Sequence, residues 1–231
     1  VLMLASGFVI SLPVTPGVTA LPVGHGLAVI ISGKEKSMSF DLGSGDYDPR
    51  LLVERLLLPE LGARHWPLPQ IAVRSHPDRD HGNGLPSLAR RTNFTDLQVA
   101  PQQSHLLDGF EPLQVRVIGC QPARNGVAND GGHVLEVRAK NFRMVLLGDQ
   151  AGYSLRQLQQ QLAPGPIDIL LVPHHGLTTD GLAELLLYLA PKLAWTSSGP
   201  RNYPLPVAPL LEYFGIPLAS TLGHALDWQD S

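Results

Sequence analysis

The chain has 231 residues, 44% of them hydrophobic and 16% charged, which supplies a core and excludes a disordered chain. Its length suits one domain of packed layers or one large sandwich, and a formal charge of −3 excludes a global basic field that would draw it onto nucleic acid. The lone cysteine, Cys120, excludes an internal disulfide and a cysteine metal cluster, so any metal must be held by His and carboxylates.

Residues 1–14, VLMLASGFVISLPV, are apolar and uncharged, and no Lys or Arg precedes Lys34. They lack the positive flank of a secretory signal and the roughly 20 apolar residues of a membrane span. Two readings stay open here: Val1–Leu12 as the tail of a preceding hydrophobic segment of a longer chain, or an ordinary first strand, VLMLASGFVI. The expected division is an apolar leader over 1–20 and a folded domain over 21–231. Pro and Gly, with 21 and 23 copies, favour many short elements joined by tight loops.

GLAVIIS (26–32) predicts a strand, and SMSFDLG (37–43) alternates as its hairpin partner. PRLLVERLLLPELG (49–62) has helical apolar spacing after an Asp48-Pro49 start. QIAVRSH (70–76) predicts a short buried strand, and LPSLARR (85–91) a helix. LQVRVIG (113–119) is a strand, and 133–149 a hairpin turning near Lys140-Asn141. Helices are expected over 153–162, 181–190 and 207–215, and strands over 167–175, 192–198 and 216–222. The early part is strand-rich and the later part alternates strand and helix, so the fold class is α+β in layers.

The chemistry concentrates at strand ends. SHPDRDHGNG (75–84) places His76, Asp78, Asp80 and His81 within six residues, directly after an apolar run. Asp41 ends a second strand, Gly148-Asp149 a third, and His174-His175-Gly176 a fourth. Loops at strand ends on a rigid scaffold are where such sites are built. Carboxylates this dense repel one another, and a divalent cation compensates them. The bland reading of 75–84 is a solvated, Asp-rich turn capping the next helix. Arg74, Arg79, Arg90 and Arg91 cluster nearby, as a solvated face before a phosphate-facing rim.

PVGHG (22–26), DLG (41–43), SHPDRDHGNG (75–84), GD (148–149) and VPHHGL (172–177) together resemble the metallo-β-lactamase superfamily. Within it they are most similar to the C-terminal domain of ComEC-type DNA-internalisation proteins. The resemblance runs from about residue 21 to the C-terminus and implies a four-layer αββα sandwich with a metal site on the open edge between its sheets. It implies two divalent cations, Zn²⁺ or Mn²⁺. His76 and Asp78 would serve the first and Asp80, His81 and His175 the second, with Asp149 bridging both. Asp80 and His174 are the candidate catalytic residues, His174 as a substrate contact, and Asp41 would orient the 75–84 loop. The mid-chain His of the first site falls near Asn129-Asp130, making that site oxygen-rich and suited to Mn²⁺.

The implied activity is metal-dependent phosphodiester hydrolysis, a nuclease acting on single-stranded DNA during uptake. The partners would be that DNA or another phosphodiester, and a membrane channel domain of the same longer protein. The implied location is membrane-associated, on the extracytoplasmic face, with a cytoplasmic site otherwise. Alternatives are another hydrolase of this fold acting on a small ester or phosphoester, and a non-catalytic domain that binds DNA or a channel. Three positions depart from the pattern: Pro22 at the opening Asp, Leu177 at the Ser after HHG, and RNYPLP (201–206), which lacks the late His. His133 and His224 are the candidate stand-ins for it.

Overall fold

The structure, a computed structural model, describes residues 14–122 and 131–230. Its strands in chain order are β1 (Gly17–Ala20), β2 (Ala28–Ser32), β3 (Ser37–Leu42), β4 (Ile71–Val73), β5 (Thr95–Asp96), β6 (Ser104–Leu107) and β7 (Gln114–Cys120). After these come β8 (Gly132–Ala139), β9 (Phe142–Leu146), β10 (Ile167–Leu171), β11 (Pro191–Thr196), β12 (Leu218–Ser220) and β13 (Leu226–Gln229). The helices are α1 (Pro49–Leu51), α2 (Leu58–Arg64), α3 (Arg79–Gly82), α4 (Leu85–Leu88), α5 (Gly152–Leu158), α6 (Leu182–Leu189) and α7 (Ala208–Tyr213).

The strands form two sheets, of order β13-β1-β2-β3-β4-β5 and β12-β11-β10-β9-β8-β7-β6. Strand alternation divides the apolar residues between two faces. In β2, Val29 and Ile31 point into the space between the sheets, while Ala28 and Ile30 point outward. In β9, Met144 and Leu146 point inward and Val145 outward. The inner faces meet around Phe40, Val117, Leu135 and Trp195. Leu52, Leu57 and Leu88 cover the outer face of the first sheet, and Leu155, Leu185 and Leu211 that of the second. Helix, sheet, sheet and helix make the four-layer αββα sandwich.

The helical stretch expected over 49–62 forms, with one local change. Between α1 and α2, Leu52–Leu57 is π-helical, and the Leu58 N–H donates to the Val53 carbonyl. Pro59 explains it, because its ring clashes with the carbonyl four residues back and a wider turn relieves the clash. Asp48 caps the start by accepting from the N–H groups of Arg50 and Leu51.

Gly17–Ala20, inside the expected leader 1–20, forms β1 and pairs with both β2 and β13. The readings of Val1–Leu12 lie outside the described residues. β5, β6 and β13 arise where no strand is expected. Elsewhere the elements fall where expected, and most are shorter. The 70–76 strand stops at Val73 and the 167–175 strand at Leu171, each just before its polar loop.

β3 and β4 run parallel, as do β9, β10 and β11. Parallel neighbours deliver their C-terminal ends to a common edge, where the sheets are joined. Ser197 Oγ donates to the Gly26 carbonyl at 2.6 Å, and the His133 N–H to the Ser75 carbonyl at 2.8 Å. Gly148 sits at a close approach, with φ +59° and Ser75 Cβ against the place where a Cβ would lie. Both facts exclude a side chain there. Gly148→Ala is expected to destabilise the fold by about 2 kcal/mol or more, from the left-handed backbone and the clash together. A lowered urea midpoint with an unchanged m-value checks this.

Candidate metal centre

Three strand exits, one strand residue and one loop build the site. Ser75–Asp78 follows β4 and leads into α3, which carries Asp80 and His81. Asp149 follows β9, His174 and His175 follow β10, and Asp41 lies in β3. His25 enters from the β1–β2 loop. Asp41, His174 and His175 all adopt left-handed backbone, with φ of 55°, 53° and 53°. Such conformations cost about 1–3 kcal/mol each and persist where the surroundings over-determine them.

Asp149 Oδ2 is the hub. It lies 3.2 Å from His81 Nε2, 3.8 Å from His175 Nε2, 3.9 Å from His76 Nε2 and 3.5 Å from His174 Nδ1. Asp80 Oδ2 is a second acceptor, 3.3 Å from His175 Nε2, 3.5 Å from His25 Nε2 and 3.9 Å from His81 Nε2. Asp78 Oδ2 sits 3.3 Å from His76 Nε2, with its side chain half exposed. Although Asp78 occupies the N-cap of α3, its side chain makes no capping hydrogen bond. The bland reading of the loop as a helix cap therefore fails at the residue that should carry it.

Two groups have ligand atoms mutually close enough to hold a cation: His76, His81 and Asp149, and His25, Asp80 and His175. Five of the six residues expected as ligands fall in these groups and His25 joins them, while Asp78 stands half-exposed beside His76 and belongs to neither. The sequence shows His25 in PVGHG, where a His between glycines precedes a strand. His81, expected to serve the same cation as Asp80 and His175, instead groups with His76 and Asp149, 3.2 Å from Asp149 against 3.9 Å from Asp80.

The ring tautomers follow from the hydrogen bonds behind the site. Buried Asp41 accepts the Ser75 N–H and hydroxyl, each at 2.7 Å, and His81 Nδ1–H at 2.8 Å. With its own proton given to Asp41, Ser75 Oγ accepts from His76 Nδ1 at 3.0 Å. His175 Nδ1–H donates to the Ser197 carbonyl at 3.2 Å. In all three neutral rings Nε2 therefore carries a lone pair and faces carboxylate oxygen. The Nε2 atoms of His81 and His175 are buried and have no hydrogen-bond partner among the described residues. Lone pair against lone pair in a buried site requires an electrophile between them, and the donor set suits a divalent cation.

Without a cation a proton takes that place. Burial would push the His81 imidazolium down, but Asp41 and Asp149 outweigh it and raise His81 to about 11. Burial would raise Asp149, yet the hydrogen bond from His81 and the charges of His81, His175 and His174 hold it well below the usual carboxylate range. Asp80 resists its own burial in the same way and falls to about 2 through His175 and His81. Burial, then the neighbouring His81 charge, lowers His76. Burial lowers His174.

The proposed stand-ins for the late His lie elsewhere. His133 spends both nitrogens on the fold, Nδ1 donating to the Arg74 carbonyl at 2.7 Å and Nε2 accepting the Val99 N–H at 3.0 Å. His224 is exposed and bonds the Leu222 carbonyl. Of the arginines, Arg74 pairs with Asp96 and Arg91 with Glu54, which fits a solvated face. Asn129 and Asp130 lie outside the described residues.

No protein-family model matches the chain. Recombination protein 2 of Haemophilus influenzae is 25% identical over 197 residues, covering 80% of this chain and 24% of its own length. The chain thus spans about a quarter of that relative, a match that fits the ComEC-type resemblance. The metallo-β-lactamase fold protein YhfI from Bacillus subtilis superposes with a TM-score of 0.61 at 9% identity, covering 93% of this chain and all of its own. The short form of human tRNase Z superposes with a TM-score of 0.51 at 13% identity, covering 80% and 94%. The chain has the metallo-β-lactamase fold.

The raised His81 and lowered Asp80 fix a pH dependence for the metal-free protein. His81 contributes stability that is complete below its unfolded value of 6.5 and is lost as pH rises toward 11. Asp80 contributes stability that is complete above 3.8 and is lost as pH falls toward 2. The Tm of chelator-treated protein is therefore expected to fall steadily above pH 6.5, while that of cation-loaded protein holds. Calorimetric scans from pH 5 to 9 (about the accessible range) test this, and a flat metal-free profile would remove the proton from the site.

Proposed function

We propose that the chain is a metal-dependent phosphodiester hydrolase of the nuclease type, acting on a single strand of DNA. The observation that carries this reading is the opposition of the His81 and His175 Nε2 lone pairs to Asp149 and Asp80 in a buried pocket. Residues this close, locked from behind by Asp41 and the Ser197 carbonyl, fit two divalent cations, Zn²⁺ or Mn²⁺. His76 and His81 would hold the first with Asp78 at its rim, Asp80 and His175 the second, and Asp149 would be shared. When bound, such a pair lowers the pKa of a water between them and neutralises charge growing at phosphorus. The exposed carboxylate of Asp78 makes the first position harder and suits Mn²⁺. His174, partly exposed beside Asp149, would contact the substrate.

Two names support the substrate class: one relative is a recombination protein, and one structural neighbour a tRNA nuclease. A cavity of about 620 Å³ opens behind the His25 loop, lined by Gly24, Asp46, Tyr47, Gly199 and Arg201. Tyr47 offers a face for a base and Arg201 a guanidinium for a phosphate. The same volume lies in the range of small-molecule pockets, about 300–1,000 Å³. It therefore also favours a second reading, hydrolysis of a small ester or phosphoester. In the nuclease reading the domain belongs to a longer protein with a membrane channel portion and works on the extracytoplasmic face. No described helix is itself long and apolar enough to cross a membrane.

Cleavage of single-stranded DNA or a generic phosphodiester should be weak as purified and rise strongly with added Mn²⁺. A time course at saturating Mn²⁺, run beside Asp80→Ala, tests it. Equal inertness of the two would replace hydrolysis by a DNA-binding or channel-associated role. Faster turnover of a small carboxylic ester than of any phosphodiester would select the second reading.

Elemental analysis separates the ligands. Asp149→Ala should remove nearly all bound cation, because Asp149 serves both positions, while Asp78→Ala should leave about half. Unchanged metal content in Asp149→Ala would end the bridging role.

A further inference from the structure

His25, a further histidine of the pocket, faces the other way. Asn202 Nδ2 lies 3.2 Å from His25 Nδ1, and Asn202 Oδ1 accepts the Gly199 N–H at 2.9 Å. The Gly199 bond fixes the amide, since the flipped amide would set N–H against N–H. Asn202 therefore donates to Nδ1, and in the neutral ring the proton sits on Nε2. The loop is fixed too, with the His25 N–H donating to Asp46 Oδ2 at 2.7 Å. His76, His81 and His175 present lone pairs to the pocket, whereas His25 presents an N–H.

That N–H makes no hydrogen bond among the described residues. Nε2 stands 3.5 Å from Asp80 Oδ2, beyond the roughly 2.7–3.2 Å of a formed bond. The ring packs 4.5 Å from that of His175, and the side chain is 41% exposed, so Nε2 borders both the ligand cluster and solvent. An imidazole with a lone pair at this spot would be a third ligand beside Asp80 and His175. Its proton makes it unfit for that and fit for an anion.

We propose that His25 is a catalytic hydrogen-bond donor rather than a metal ligand. Its Nε2–H would meet an oxygen of a phosphate or phosphodiester seated at the Asp80–His175 side of the pocket, with Asn202 as the positioning residue that sets the tautomer. The donor stabilises negative charge and transfers no proton, so the ring is the same before and after turnover. Removing one such donor typically costs about 10²–10³ in rate. The proposal rests on the hydrolase reading for its substrate but not for its geometry.

The test uses the full chain loaded with Zn²⁺ and inorganic phosphate as the probe. Long-range ¹H–¹⁵N spectra should show His25 with its proton on Nε2, and Asn202→Asp, which accepts instead of donating, should move it to Nδ1. His25→Leu and Asn202→Asp should each weaken phosphate binding about tenfold or more, the worth of a hydrogen bond to a charged group. His25→Gln, which keeps an N–H of similar reach, should recover most of the affinity. Zinc content should be unchanged in all three. Loss of zinc in His25→Leu, or a metal-bound Nε2 of His25 in the wild type, would make His25 a ligand and overturn the proposal. Phosphate affinity indifferent to all three variants would overturn it as well. If the wild type hydrolyses no phosphodiester, the functional reading fails, while the nitrogen signals and phosphate affinities still decide the role of His25.

Discussion

The site depends on holding two carboxylates, Asp149 and Asp80, against a set of imidazoles where water is largely excluded. A lone buried carboxylate would neutralise itself, because desolvation favours its protonated form. Here burial does push Asp149 upward, but the opposition of His81, His175 and His174 wins, and the charge is kept. His81 shows the mirror result, drawn far upward between Asp41 and Asp149 despite complete burial. The cluster is stable without metal only because protons occupy positions that suit cations. Cation affinity and proton affinity are thus the same property of one pocket, and binding must release protons.

The scaffold keeps these groups together by spending local strain. Three site residues stand in left-handed backbone, and Gly148 brings the end of β9 against Ser75, closer than any side chain allows. Asp41 then fixes Ser75 and His81 together, so one buried carboxylate orients two rings directly and His76 through the Ser75 hydroxyl. Removing Asp41 would disturb every Nε2 lone pair on the Asp149 side at once, although it touches no cation position itself.

The elements that carry the motifs are legible because each is an apolar run stopped by polar residues. IDILL and FRMVL are buried strands whatever surrounds them, and the groups after them must emerge at a strand end. The elements that escape notice lack that signature. Thr95 and Asp96 are both exposed, and Ser104–Leu107 buries only Leu107, so their strand character comes from pairing with β4 and β7. Leu226–Gln229 becomes a strand by closing the edge beside β1, a contact between the two ends of the chain that no local pattern encodes. The π-helical turn is likewise hidden, because Pro59 reads as a helix start from its own position and acts as a distortion from the positions before it.

His25 shows a deeper limit. Its presence is visible in PVGHG, but its role depends on which nitrogen holds the proton, and that is set by Asn202, far along the chain in RNYPLP. The segment that departs from the family pattern by lacking a histidine is thus the one that supplies the amide for another. Identical side chains in one pocket take opposite roles according to the partner of the far ring nitrogen: Asp41, Ser75 and the Ser197 carbonyl accept and create ligands, while Asn202 donates and creates a donor. A count of histidines at strand ends finds the pocket. Only the polarity of the hydrogen bonds behind them divides it into a side that holds cations and a side that meets the anion.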